Sequence, residues 1–413
     1  MKILIIVDDY LPDSIKIAAK MMHELALQFI KEGNEVSVLT PGKKVKELKP
    51  INHLSIHRFR SGKIKNTSKL RRVVNESLLS FRAYLYYFFR LRNKKQDLII
   101  YYSPSIFFGP LVQAMKKHWG CPSYLILRDF FPQWAIDQNI IKEGSAITRY
   151  FRFFERLNYQ AADFIALQSP NNLEWFYKNV NSNKTLGVLY NWTNEFKDKG
   201  PLKSKIDYRA KLKLTEKVVF FYGGNMGKSQ DMMNLVRLAQ NMQKYPSSHF
   251  VFVGLGDEVE LVKKAIIDNE LSNVNYLGAV VQNEYDKMLS DFDVGLFSLH
   301  KLHSSHNFPG KLLGYMANEM PILGSVNPGN DLQEIVQKSG AGFITLNGKD
   351  KELLNNAIEL LNNETIRMKM GKNGMKLIKS KFSTKNATKK ILEDIALHNY
   401  KTIWQENKVL KED

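Results

Sequence analysis

The sequence predicts an α/β protein built as two doubly wound domains facing a central cleft. Three observations predict it. Short β-branched runs alternate with helical spacing from residue 2 onward, the pattern of parallel strands joined by crossover helices. A polar, aperiodic stretch over 193–205, with Gly200-Pro201 inside it, interrupts the alternation in mid-chain and reads as a linker. The alternation then starts again. A chain of 413 residues is too long for one ordinary core and suits two of roughly 200 residues each. We therefore expect a first domain over 1–195, a second over 205–383, and a last helix over 384–413 that packs back towards the first.

Residues 2–7 read as a fully buried strand, Ile17, Met21, Leu25 and Phe29 give a helical stripe, and residues 35–39 form the next strand after Gly33. The loop between them, Asp8-Asp9-Tyr10-Leu11-Pro12-Asp13-Ser14, offers Asp13 or Ser14 as an N-cap. It puts Lys16 in the first helical turn, where a cation opposes the helix dipole and serves either a ligand or solvent. A third strand is expected over 53–59. The helix after it places Leu70, Val74, Leu78, Phe81, Leu85 and Phe88 on one apolar, core-facing stripe. Its outer surface then carries Arg71, Arg72, Arg82 and Arg90 with Tyr84, Tyr86, Tyr87 and Phe89. Strands at 97–103, 123–127, 163–168 and 186–190, with helices at 106–118, 146–160 and 170–179, complete the first domain. In the second, strands at 217–222, 249–253, 274–277, 294–299 and 321–325 mostly end in glycine or a polar turn, and helices at 350–362, 364–380 and 384–405 close the chain.

The formal charge of +19 calls for an anionic partner. Much of the excess sits between Lys63 and Lys95, where Glu76 is the one acid. Basic residues interleaved with Tyr and Phe suit the headgroup layer of a membrane, although a solvated domain helix would look similar. Nucleic acid is not expected as a partner, because no nucleic-acid fold signature accompanies the charge. No apolar run approaches the roughly 18 residues of a membrane-spanning helix, and residues 1–10 run straight into a strand. With Cys121 as the single cysteine, these features predict a cytoplasmic protein, peripheral on the inner face of the plasma membrane.

Residues 220–231 are the focus of the second half. Gly223, Gly224 and Gly227 lie between a strand and a helix, where unpaired amides can face an anion; an ordinary glycine-rich turn would read the same. In the first half, Arg128 and Asp129 follow a buried strand, at the edge where open parallel sheets bind ligands. No Gly-x-Gly-x-x-Gly follows the first strand and no Gly-x-x-x-x-Gly-Lys-Ser/Thr occurs, which excludes the usual dehydrogenase and P-loop readings. Asp291-Phe292-Asp293 and the histidines at 300, 303 and 306 are weak metal candidates lacking a complete ligand set, so no metal or other cofactor is expected.

An ordered series of motifs brings a family into view: Tyr222-Gly223-Gly224-Asn225, Val253-Gly254-x-Gly256, Tyr276-Leu277-Gly278-x-Val280, Asp293-Val294-Gly295-Leu296, Pro309-Gly310-Lys311 and Tyr315-Met316-Ala317. With Asp9-Tyr10-x-Pro12, Asp129-x-x-Pro132 and Asn191-Trp192 in the first half, the chain resembles bacterial GT-B glycosyltransferases of the retaining group 1 type. More narrowly it is similar to O-antigen and capsule enzymes that transfer N-acetyl-L-fucosamine. The resemblance implies two Rossmann-like domains, a UDP-sugar donor and a polyisoprenyl-diphosphate-linked, N-acetylglucosamine-type acceptor at an anionic membrane surface.

It further implies roles for individual residues. Lys311, Asp129 and Arg128 would serve catalysis, with Arg128 at the family's histidine position. The donor would meet Gly223, Gly224, Asn225, Lys228 and Gly254 on one side, and Val280, Pro309, Lys311, Asn330 and Glu334 on the other. Asp9, Asp13, Lys16 and Trp134 would bind the acceptor, and Arg71, Arg72, Arg82 and Arg90 the membrane. The chain departs from the family where a carboxylate usually holds the ribose, since that position is Gly314 and the earlier acidic one is His306. Two alternatives stay open: a non-hydrolysing UDP-sugar epimerase, which shares fold and donor, and a lipid-docking scaffold without catalysis.

Overall fold

The computed structural model describes residues 1–14, 17–51, 53–62, 68–137, 139–180, 182–194, 207–302 and 308–409. Lys16, His303, His306 and all but the first two residues of the expected linker lie outside the described residues. The chain forms two compact units: Met1–Asn191 together with Thr384–Asp413, and Trp192–Ser383.

The first unit is built on an eight-stranded sheet in the order β3-β4-β2-β1-β5-β6-β7-β8. Its strands are β1 (Lys2–Ile6), β2 (Glu35–Gly42), β3 (Lys46–Ile51), β4 (Leu54–Arg60), β5 (Leu98–Ser103), β6 (Ser123–Leu127), β7 (Phe164–Leu167) and β8 (Thr185–Val188). All neighbours are parallel except β3 and β4, which pair antiparallel at the edge. Ile3 to Ile6 and Leu98 to Tyr101 are fully buried because helices cover both faces, which is why these strands are continuously apolar. The helix Thr384–Val409 belongs to this unit: Thr388 Oγ1 donates to Glu32 Oε1 at 2.7 Å, and Tyr124 Oη donates to Asp394 Oδ2 at 2.9 Å.

The second unit holds six parallel strands in the order β11-β10-β9-β12-β13-β14. They are β9 (Val218–Gly223), β10 (Ser248–Val253), β11 (Val274–Tyr276), β12 (Val294–Ser298), β13 (Ile322–Val326) and β14 (Gly342–Leu346). In both sheets the chain runs outward on one side of the first strand and then returns to its other side. The resulting switch points lie between β1 and β5, and between β9 and β12, where such folds bind ligands.

The basic helix differs from the sequence expectation. It breaks at Leu78 into Lys69–Ser77 and Leu79–Tyr86, followed by a wider π-type turn, Tyr87–Leu91. Its buried side is Leu79, Ala83, Tyr86, Tyr87 and Leu91, while Val74, Leu78, Phe81, Leu85 and Phe88 are exposed. The stripe taken as core-facing therefore faces solvent. The reason is that apolar residues occur on both faces, and the inward tyrosines find specific partners. Tyr86 Oη lies 3.2 Å from His57 Nδ1, and the Tyr87 ring meets Trp119 edge-on at 5.2 Å.

Candidate functional site

In the second unit the loop after β9 folds onto the loop after β10. Gly224 N donates to Val253 O and Met226 N to Leu255 O, both at 2.9 Å, while Glu258 N returns to Met226 O at 2.9 Å. The two backbones run so close that a Cβ on Gly254, whose φ is +146°, would stand 1.8 Å from Gly224 O. Gly254 is thus demanded by loop-on-loop packing. The amides expected to be open are engaged as well: Gly223 N donates to Tyr315 Oη at 3.0 Å and Gly227 N to Gln230 Oε1 at 3.2 Å. Asn225 is exposed, and its Nδ2 donates to Gln230 Oε1 at 2.8 Å. The glycine loop is a rigid platform, and charge for an anion must come from side chains.

Lys311 supplies it. It lies in the first turn of the helix Gly310–Ala317, which follows β12 and so sits at the switch point beside β9. Its Nζ lies 3.4 Å from the centroid of the Tyr222 ring, and its last carbon and Nζ lie against Gly224. A cation over an aromatic face is attracted to the ring quadrupole. Yet no carboxylate among the described residues pairs with it, and burial holds its pKa well below the usual lysine range. The Tyr222 ring beneath it belongs to a buried cluster with Tyr285 and Tyr315, to which sequence reasoning gave no role. Tyr285 covers Gly223, where a Cβ would meet its ring at 2.3 Å, and Tyr315 Oη donates to Leu296 O at 3.1 Å. Burial raises the pKa of Tyr222, Tyr285 and Tyr315, so all three are neutral and none offers Lys311 a negative charge. Tyr222 adjoins the glycine motif and Tyr315 stands in the Tyr315-Met316-Ala317 motif, whereas no signal in the sequence marks Tyr285.

The remaining donor candidates divide. Lys228 is exposed on the short turn Lys228–Gln230, which is tied to the loop after β12 by His300 N donating to Ser229 O at 3.0 Å. Pro309 is the N-cap of the Lys311 helix, and Val280 is half-buried after β11. Asn330 is buried and caps the helix Asp331–Ser339, accepting from Leu332 N at 3.0 Å. Glu334 is exposed and pairs with Lys338 one turn on, so its carboxylate is held on the helix surface. Asp293 accepts from Arg209 Nη2 at 2.6 Å and from Val219 N at 2.7 Å, and Lys287 pairs with Asp291 at 2.5 Å. Asp293 thus ties the start of β12 to Arg209 and β9, while the Asp291 carboxylate is held on its own helix.

In the first unit Asp129 and Arg128 follow β6. Arg128 is buried and donates through Nη1 to Leu189 O at 2.6 Å and through Nη2 to Tyr190 O at 3.3 Å. Burial brings its pKa down to about 10. The guanidinium clamps the chain beyond β8. Asp129 is half-buried. Burial raises its pKa from 3.8 to about 6; the Arg128 charge opposes that shift and the Asp8 charge after β1 adds to it. Asp9 Oδ2 accepts from Ser14 Oγ at 2.7 Å, and exposed Asp13 pairs with Arg58 at 3.2 Å. Both therefore brace the β1 loop, while half-buried Trp134 packs on Phe131 at 5.8 Å.

Residues 204–377, almost the whole of the second unit, match the family profile described as Glycosyl transferases group 1. The match lies in this unit and takes in β9 to β14 and the Lys311 helix. The chain is 26% identical over 225 residues to the probable glycosyltransferase WbjE of Pseudomonas aeruginosa, covering 53% of this chain and 54% of WbjE. It thus spans little more than half the length of the curated relatives it matches. Among solved structures, sucrose-phosphate synthase of Thermosynechococcus elongatus superposes with a TM-score of 0.74 at 15% identity, over 98% of this chain and 99% of that one. Anabaena HepE, solved with UDP and glucose, gives 0.67 at 14% identity, over 96% and 99%. The fold is that of the GT-B glycosyltransferases.

Proposed function

We propose that the chain is a hexosyltransferase-type enzyme that moves a sugar from UDP onto a lipid-linked, N-acetylglucosamine-type acceptor in O-antigen or capsule biosynthesis. N-acetyl-L-fucosamine is the sugar its motifs favour. The observation that carries the reading is Lys311, a buried lysine at the β9/β12 switch point that no carboxylate among the described residues meets. A nucleoside diphosphate bound there supplies the missing anion. Its charge restores the protonated lysine, which then stabilises the diphosphate as the sugar leaves. The UDP held by HepE supports the choice of nucleotide.

On the acceptor side Asp129 is the carboxylate for the attacking hydroxyl. In the retaining route a donor phosphate oxygen takes the hydroxyl proton and Asp129 orients the acceptor. In an inverting route Asp129 is the base, and a pKa of about 6 fits that task. No metal enters either route. Asp9, Asp13, Lys16 and Trp134 frame the acceptor; Lys228, Pro309, Val280 and the glycine platform frame the donor, with Asn330 and Glu334 at its margin. Of the four arginines expected at the membrane, Arg71, Arg72 and Arg90 are exposed and face the inner leaflet.

The test is a thermal-shift screen over UDP-, GDP- and dTDP-sugars, followed by product analysis with an N-acetylglucosamine diphospholipid. Protection by UDP-sugars and one added sugar on the lipid are expected. A sugar altered without any acceptor would mean an epimerase, and vesicle binding without donor protection would mean a scaffold.

A further inference from the structure

Two helices far apart in sequence give the first unit an exposed apolar face. Lys69–Ser77 and Leu79–Tyr86 contribute Val74, Leu78, Phe81 and Leu85, continued by Phe88 and Phe89 in the following turn. Ala146–Ala161 contributes Ile147, Tyr150 and Phe153 at three-residue steps. Phe89 is 75% exposed, Phe81 60% and Phe153 54%. The two rows are neighbours. Tyr150 Oη donates to Ser77 Oγ at 2.6 Å, Tyr150 and Phe153 both meet the Phe154 ring edge-on, and Phe154 packs on Phe107, whose carbonyl accepts from Ser80. Single exposed apolar residues are ordinary on a soluble surface, whereas a continuous group marks a contact.

The charge around this face says with what. Arg71, Arg90, Arg149 and Arg156 are exposed on the same helices and turn, and the Arg92 guanidinium lies 5.0 Å over the Phe88 ring. The nearby acids are already engaged, Glu76 with Arg72 at 2.9 Å and buried Glu155 with Arg152 at 2.8 Å. Arg82, expected among the membrane cations, is half-buried and donates to Asn75 Oδ1 at 3.2 Å. An apolar centre with a cationic rim complements a surface that is anionic at its headgroups and apolar beneath. A second copy would instead set like charges against one another.

We propose that this two-helix face inserts into the headgroup layer of an anionic membrane, with Phe81, Phe89 and Phe153 entering the apolar layer and the arginine rim on the lipid phosphates. The lipid-linked acceptor proposed above gives the docking its purpose, but exposure and charge stand without it. Full-length protein should sediment with vesicles of equal parts phosphatidylcholine and phosphatidylglycerol, and part of that binding should survive high salt, which screens charge but not apolar burial. The double variant Phe81→Ser/Phe153→Ser should lose about tenfold or more of its partitioning, on the order expected when whole Phe side chains are withdrawn from an apolar phase. The control Ile267→Ser, an exposed apolar residue of the second unit, should bind like the parent. Thermal protection by UDP should be the same in all three proteins, which verifies folding. Undiminished vesicle binding by the Phe variant overturns the proposal, as does a concentration-dependent dimer that the same variant abolishes. Loss of UDP protection in the parent, with vesicle binding kept, would instead overturn the donor assignment alone.

Discussion

Replacing Asp129 by Asn tests the electrostatics of the first unit most directly. Burial lifts this carboxyl from 3.8 to about 6, so the folded chain holds a proton there that the unfolded chain has released. Between about pH 4 and about pH 6 the folded state therefore binds more protons, and stability falls as pH rises through that window. Above it the ionised carboxylate is disfavoured by up to about 3 kcal/mol, taking about 1.4 kcal/mol per tenfold change in affinity for the proton. Asparagine has nearly the same shape and no charge to desolvate. Asp129→Asn should accordingly raise the melting temperature of the first unit at pH 8 by as much as about 10 °C, and the gain should vanish near pH 4. Calorimetry across that range measures it. Equal melting at pH 8, or a gain that persists at pH 4, would refute the reasoning. Glycosyl transfer should move the opposite way: the parent loses turnover as pH drops through about 6, and the variant stays slow throughout.

Three further outcomes are expected. Lys311→Ala should cut transfer by roughly a hundredfold or more and abolish protection by UDP, while leaving the ligand-free melting point unchanged or higher, because burial of a polar amine is relieved; normal turnover would mean the diphosphate lies elsewhere. Gly254→Ala should destabilise the second unit by more than about 3 kcal/mol in denaturant titration, given a Cβ 1.8 Å from Gly224 O, and a change under about 1 kcal/mol would contradict the close approach. Arg128→Met should lower the stability of the first unit by roughly 3 kcal/mol through two carbonyls left without their charged donor, and an unchanged unfolding midpoint would remove its clamping role.

The parallel strands were legible because burial on both faces makes them continuously apolar, as in Lys2–Ile6 and Leu98–Ser103. Two strands were not read. Lys46–Ile51 is an edge strand with lysines and Pro50, so it lacks the apolar signal, and Gly342–Leu346 is a short run without a flanking motif. The orientation of the basic helix was read backwards, since periodicity marks faces but does not say which one has partners. At the site, Lys311 and Asp129 stood out by position. The engagement of the Gly223 and Gly224 amides could not be read, because it depends on Tyr315 and Val253, distant in sequence, arriving at the same loop. The same holds for Arg128, whose acceptors are backbone carbonyls that any residues would offer.

The bond from Tyr124 to Asp394 joins positions 270 residues apart. During synthesis the whole Trp192–Ser383 unit emerges from the ribosome before Asp394 does, so that unit can fold while its predecessor still lacks the helix that meets Glu32 and Tyr124. The first part made is the last part finished. A nascent chain stalled before residue 384 would carry a folded second unit and an incomplete first one, leaving chaperones a longer window on the amino-terminal half than its early appearance suggests.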